Sequence, residues 1–242
     1  MFGPMLKHWR QVRGISQMDL ALEASVSARH VSFLETGRAR PSVEMTIRLA
    51  EALAMPLRER NALLVAAGFA PRYGAGDWSS PELADVRAAA RLILDTHSPY
   101  PAMVFDGCFT MLDANDGAWG LLGEPGDVQP NLVDLVFTPG PVRSAIGNWP
   151  DIAAYFLHRL RHGARINGPH APIAHKLRQA LAMPGVRELE AGLSKTSSGI
   201  LLPLIFLTPQ GETRWFTTVT HFGGAQDALA EEITIEMFHP VQ

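Results

Sequence analysis

Residues 16–42 read SQMDLALEASVSARHVSFLETGRARPS, and their spacing specifies two short helices joined by a brief turn. Ser16 stands where a helix N-cap is wanted, with Asp19 three residues on as the acidic half of a capping box. Leu20, Ala21 and Ala24 then recur at helical spacing. After a break at Ser25 and Val26, Ser27 can cap a second helix whose Val31 and Leu34 share one face and which exits at Thr36-Gly37. So short a turn makes the helices cross steeply, and small Ala21 allows close approach. That combination is a helix-turn-helix.

Working outward, residues 5–12, 43–54 and 57–67 are amphipathic and complete a bundle of five helices. Ser42 is placed as a further cap, and Pro41 and Pro56 sit where helix starts tolerate proline. Charge follows the same division. Residues 1–73 hold ten Lys+Arg against six Asp+Glu, a net of +4, whereas residues 74–242 hold eleven against eighteen, a net of −7. A basic module at the front suits a polyanion, and the acidic remainder is suited to something else. With 47% hydrophobic and 19% charged residues, the 242-residue chain has the composition of a folding protein rather than a disordered one.

No run of eighteen apolar residues occurs, and the opening MFGPMLKHWRQVR lacks the apolar core of a secretory signal, so a cytoplasmic location without membrane partners is expected. The single Cys108 has no cysteine partner for a disulfide or a zinc site and reads as buried filler.

The front segment, with SQ, the following Ala, VS and the closing LE-x-G-R-x-x-P, resembles the DNA-binding domain of the phage-repressor and Xre group of regulators. The resemblance implies that the second helix of the motif enters the major groove of double-stranded DNA. Ser27, Ala28, Arg29, Ser32 and Phe33 would then lie toward base edges. Arg29 can grip guanine bidentately or contact a phosphate, Phe33 or Ala28 suits a thymine methyl, and His30 fits either DNA or plain helix surface. Arg38 and Arg40 read as phosphate clamps. Gln17, at the start of the first helix of the motif, falls where the family places a side chain against the DNA backbone. Arg10 and Glu35 match a structural ion pair of that pattern. The turn departs from it, with Ser25 where many members carry glycine; a left-handed Ser there costs on the order of 1 kcal/mol.

Composition changes after Tyr73 to GAGDWSSPE, a linker leading into a helical segment at residues 81–96. The expected organisation is therefore a helix-turn-helix domain over residues 1–73, a linker and connecting helix over 74–96, and a second domain over 97–242. In that second domain PAMVFD and FTMLDAN, separated only by Gly107-Cys108, read as a tight hairpin. Residues 131–137 and 149–161 are helical, GILLPLIFLTPQGETRWFTTVTHF holds two long strands about residues 208–211, and EEITIEMFHP is a last alternating strand. Two strands, several helices and three strands is the order of an α+β PAS-like domain with an antiparallel sheet.

These stretches, together with RHVSFLETGRARPS, RERNALLVAAGFAPRY, NLVDLVF, VRSAIGNW and FLHRLR, resemble the MmyB-like transcription regulators over essentially the whole chain. That resemblance implies a regulator whose PAS-like domain binds an apolar small-molecule effector, long-chain fatty acids being one class, with no required cofactor. Phe105, Ile200, Leu202, Leu204, Phe206, Phe216 and Val219 can supply apolar wall. A carboxylate would need a polar anchor, for which Arg143, Asn148 with Trp149, and His221 stand out. A homodimer presenting two recognition helices to half-sites about one helical turn apart completes the expectation.

Two other classes stay open at this level: an enzyme, and a dimerisation or protein-interaction module without a ligand. The sequence shows no Gly-rich phosphate loop, G-x-S-x-G elbow or defined carboxylate pair, so no catalytic residues are assigned. His158 with His162, and His170 with His175, have spacings that could reach a metal but lack further ligands in a recognisable pattern, so none is assigned there either.

Overall fold

The structure is a computed structural model that describes residues 1–123, 129–168, 171–192, 202–209 and 211–241. Ile200 and His170 lie outside the described residues. The chain forms two compact units, one of Met1–Asp77 with Gly223–Glu231 and one of Trp78–Phe222 with Glu232–Gln242. The segment read as linker is thus shared, residues 74–77 belonging to the first unit and residues 78–96 to the second.

The first unit contains α1 (Phe2–Val12), α2 (Gln17–Glu23), α3 (Ala28–Glu35), α4 (Val43–Ala52) and α5 (Leu57–Ala66). Its helix starts are set by local chemistry. The Ser16 hydroxyl accepts from the Asp19 N–H at 3.1 Å while the Asp19 carboxylate accepts from the Ser16 N–H at 2.8 Å, a reciprocal box. Ser27 and Ser42 accept in the same way from the N–H groups of His30 and Met45. Between α2 and α3, Ser25 takes φ +54°, the left-handed turn that glycine would adopt without strain. Leu6, Trp9, Leu20, Val31, Leu34, Leu49 and Leu63 make the core. Gly3 is required there: a Cβ at that position would overlap the Glu35 carbonyl oxygen, so α1 and α3 meet backbone to backbone.

Residues 223–231 complete this unit. Asp227 forms a parallel bridge with Gly74, the Ala228 N–H donates to the Gly74 carbonyl at 2.7 Å, and Ala228, Leu229 and Ala230 are buried. The Glu231 carboxylate accepts from the Leu57 N–H at 2.6 Å, supplying the N-terminal cap that Pro56 cannot give α5.

The second unit opens with a 3₁₀ turn (Pro81–Leu83) and α6 (Ala84–His97), then β1 (Ala102–Phe105) and β2 (Met111–Ala114). The hairpin is wider than the two-residue turn that the sequence suggested. Asp106 accepts from the N–H groups of Cys108 and Thr110, and Phe109 sits at φ +64° with its ring buried against Phe156. Helices α7 (Asp116–Leu122), α8 (Leu132–Phe137), α9 (Pro141–Ala145), α10 (Trp149–Asn167), α11 (Pro172–Leu181) and α12 (Val186–Gly192) follow. Strands β3 (Leu204–Thr208) and β4 (Gly211–His221), the short α13 (Ala228–Glu232) and β5 (Thr234–Pro240) close the chain. The five strands make one antiparallel sheet in the order β2-β1-β5-β4-β3, so the last strand in sequence is the central one.

Buried asparagines tie these pieces together. Asn115 caps α7 through the Ala118 N–H, accepts from the Ala102 N–H and donates to the carbonyls of Leu94 and Tyr100. Asn131 caps α8 and donates to the Cys108 carbonyl at 2.9 Å. With donors and acceptors of the amide both engaged, burial of each carries no unpaired polar group.

Candidate functional site

In the first unit, α3 presents the side chains that its sequence nominated. Arg29 is exposed, with its guanidinium 5.2 Å from the centre of the Phe33 ring, while Ala28, His30, Ser32 and Phe33 are half-buried. Arg38 and Arg40 are exposed just beyond the helix. Among the described residues none of these three arginines has a carboxylate partner, so their charge is available to phosphate or base. The Ser27 hydroxyl accepts from the His30 N–H and keeps its own O–H as a donor.

Gln17 is differently placed from a simple backbone contact. It is half-buried, and its amide donates to Glu35 at 2.8 Å. Glu35 also takes two hydrogen bonds from Arg10, Nε to Oε1 at 2.6 Å and Nη2 to Oε2 at 3.0 Å, the ion pair that the front pattern implied. Burial alone would push the Glu35 carboxyl up, but the hydrogen bonds from Arg10 and Gln17 hold it below the usual glutamate range. The result is a fixed α1–α3 brace behind the exposed face of α3.

In the second unit a cavity of about 180 Å3 lies between helices and sheet. Met103, Leu204, Phe206, Thr217, Glu236 and Phe238 line it from the strands, and Leu121, Leu122, Leu132, Val136, Val142, Ile152, Tyr155 and Phe156 from the helices. Ile146, Leu202 and Phe216 complete the described wall. An apolar cavity of about 150 Å3 suffices for a benzene-sized guest, so this one has room for a small molecule as it stands.

Of the expected ligand-contacting residues, Leu204, Phe206 and Phe216 border the cavity. The Phe216 ring stacks on His239 at 4.8 Å, on the sheet face opposite Thr217 and Phe238. Phe105 is wholly buried in the adjoining core without bordering the cavity, and His221 is exposed at the end of β4. Val219 is also exposed.

The three other nominated polar groups are engaged in holding the scaffold. Arg143 donates to the carbonyls of Phe137 and Pro184, each at 2.7 Å, and lies 3.8 Å over the Trp149 ring; burial pushes its guanidinium below the ordinary arginine value. The Trp149 indole donates to the Val136 carbonyl at 2.8 Å, so Arg143 and Trp149 together satisfy the C-terminal carbonyls of α8. Asn148 donates to the Pro203 carbonyl and accepts from the Ile205 N–H, clamping β3 to the start of α10. None of the three borders the cavity.

The charged group that does border it is one that sequence reading passed over. Glu236, on the central strand β5, is buried and accepts from Arg159 of α10 at 2.7 Å. A glutamate at a core-facing position of an alternating strand is a signal, but its partner lies 77 residues away and no local pattern joins them. Thr217 and Tyr155 are the other polar side chains among the described lining residues. His158 and His162 are exposed, and no group of three or more His, Cys, Asp or Glu converges among the described residues.

Among the described residues no helix is long and apolar enough to cross a membrane. Residues 86–242 match the family model for the ligand-binding domain of MmyB-like transcription regulators, and residues 2–63 match that for a helix-turn-helix domain. No curated protein matches the chain.

Proposed function

Since the chain belongs to the MmyB-like transcription regulators and carries a helix-turn-helix domain, and is thereby a DNA-binding regulator, we propose that it is a cytoplasmic, non-enzymatic homodimer whose operator affinity responds to an apolar small molecule held in the second unit. The observation that carries the sensor half is the cavity, walled almost wholly by aliphatic and aromatic side chains. An alkyl chain fits such walls, and fatty acids are the class that the family resemblance puts first.

A ligand changes DNA affinity only by binding the DNA-competent and incompetent states unequally. The chain has a covalent route for this. Residues 223–231 belong to the DNA-binding unit, yet they connect β4 and β5, which supply Thr217, Glu236 and Phe238 to the cavity wall. Coupling of about 1–3 kcal/mol would alter operator affinity roughly 5- to 150-fold.

Native mass spectrometry of the purified chain, with denaturing extraction of anything bound, tests occupancy and dimer stoichiometry together. Duplex selected from a random pool then serves as operator in a fluorescence-anisotropy titration with and without the extracted compound. A retained apolar molecule that shifts operator affinity supports the proposal. An empty protein whose operator binding ignores a panel of alkyl-chain compounds overturns the sensor half and leaves a DNA-binding dimer with an interaction module.

A further inference from the structure

We infer that the cavity selects an alkyl-chain ligand whose polar end is a neutral hydrogen-bond donor, a hydroxyl, with the Glu236 carboxylate as its acceptor. This rests on reading the cavity as the effector site and refines the ligand's head. It keeps the chain of a fatty acid and departs from its carboxylate.

Glu236 faces the cavity from the central strand beside Phe238 and Met103, and its side chain is only 5% exposed. One of its oxygens, Oε1, is taken by Arg159 at 2.7 Å; the other, Oε2, has no hydrogen-bond partner among the described residues. Arg159 does not border the cavity. Its guanidinium lies against the rings of Phe109, Tyr155 and Phe156, with centroids 4.6, 5.5 and 5.8 Å away. A molecule entering the cavity therefore meets the anionic member of the pair.

Three consequences follow from elementary electrostatics. A ligand carboxylate placed against Glu236 sets like charges together in an apolar surrounding, which disfavours the ionised form of one of them. A hydroxyl donates to the open oxygen and forms a hydrogen bond to a charged acceptor, the stronger kind. Thr217 and Tyr155 are neutral hydroxyls that can accept or donate and so do not reverse the preference. A purely structural ion pair would gain from having both carboxylate oxygens satisfied, and here one is left open.

The test uses the full chain with 1-octanol and octanoate, which differ in their heads, measured by calorimetric titration and by the shift in unfolding temperature at pH 8, where octanoate is ionised. The expected result is a Kd for 1-octanol lower than that for octanoate by about tenfold or more, the size of a hydrogen bond to a charged acceptor. In Glu236→Gln the preference should fall toward unity, because the amide offers a carboxylate a donor and carries no charge. Should that variant fail to fold, the wild-type ratio alone decides. Octanoate binding as tightly as 1-octanol, or more so, overturns the inference while leaving the cavity as an effector site. Binding of neither molecule overturns that site and the inference with it.

Discussion

Arg29 and Arg38 are both exposed arginines of one short stretch, but they occupy different positions, one within α3 and one beyond its C-terminus. Arg29→Ala is expected to relax base preference at one operator position, costing about 1–3 kcal/mol on the selected duplex and little on random duplex. Arg38→Ala should weaken both duplexes similarly and lower the salt slope by about 1. Anisotropy titrations at several salt concentrations separate the two, and equal losses on both duplexes from both variants would erase the distinction. Arg143 calls for the opposite kind of test. With two carbonyl hydrogen bonds and a stacked indole, Arg143→Ala should cost the second unit about 2 kcal/mol in urea unfolding. A loss of ligand affinity without that loss of stability would make Arg143 an anchor after all. Its type and helical setting were legible in VRSAIGNW, but which oxygens it meets depends on carbonyls contributed by α8 and by Pro184, beyond the reach of local spacing.

At the scale of elements, helix starts were the most readable feature, because a cap is a contact between residues two or three apart. Ser16, Ser27 and Ser42 all cap as their spacing suggests. The start of α5 is the exception, since its acceptor arrives from Glu231, 174 residues away in sequence. Glu231→Ala should therefore destabilise the first unit by about 1 kcal/mol, as loss of a cap does, and Glu231→Gln should recover part of that. Urea denaturation followed by helical circular dichroism measures both; equal stability of all three proteins would mean that the Leu57 N–H is satisfied as well by water. The short α13 escaped notice because ALAEE is too brief to show a period, and it is held by burial of Ala228, Leu229 and Ala230.

Across the whole molecule, the two units should lose stability in different pH windows. His239 is held below the ordinary histidine value by burial and by the neighbouring His97, whose ring lies 4.8 Å away. The unfolded chain then binds the proton more readily, so this contribution is present above about pH 6.5 and is lost as pH falls through the folded value. Glu35, held low in the first unit, contributes above about pH 4.3 and loses that contribution as pH falls further. Thermal unfolding at pH 8, 5.5 and 4 should show His239→Gln flattening the change between the first two and Glu35→Gln flattening the change toward the last. Unaltered pH dependence in either variant would remove that group from the acid response.

What the sequence determined by itself was whatever rests on near neighbours: the five helices of the front, their caps, the left-handed Ser25 in the turn, the exposed arginines about α3, and the order of strands and helices behind them. These depend on periods of 2 and 3.6 residues and on hydrogen bonds spanning a turn. Only the tertiary structure decided that β5 is central in the sheet, that residues 223–231 fold with the DNA-binding unit, and that Glu236 rather than Arg143 stands at the cavity. The reason is physical. A side chain's partner in a packed interior is whatever group the folded chain brings within about 3 Å, and residues 77 or 174 positions apart meet there without leaving a trace in local spacing.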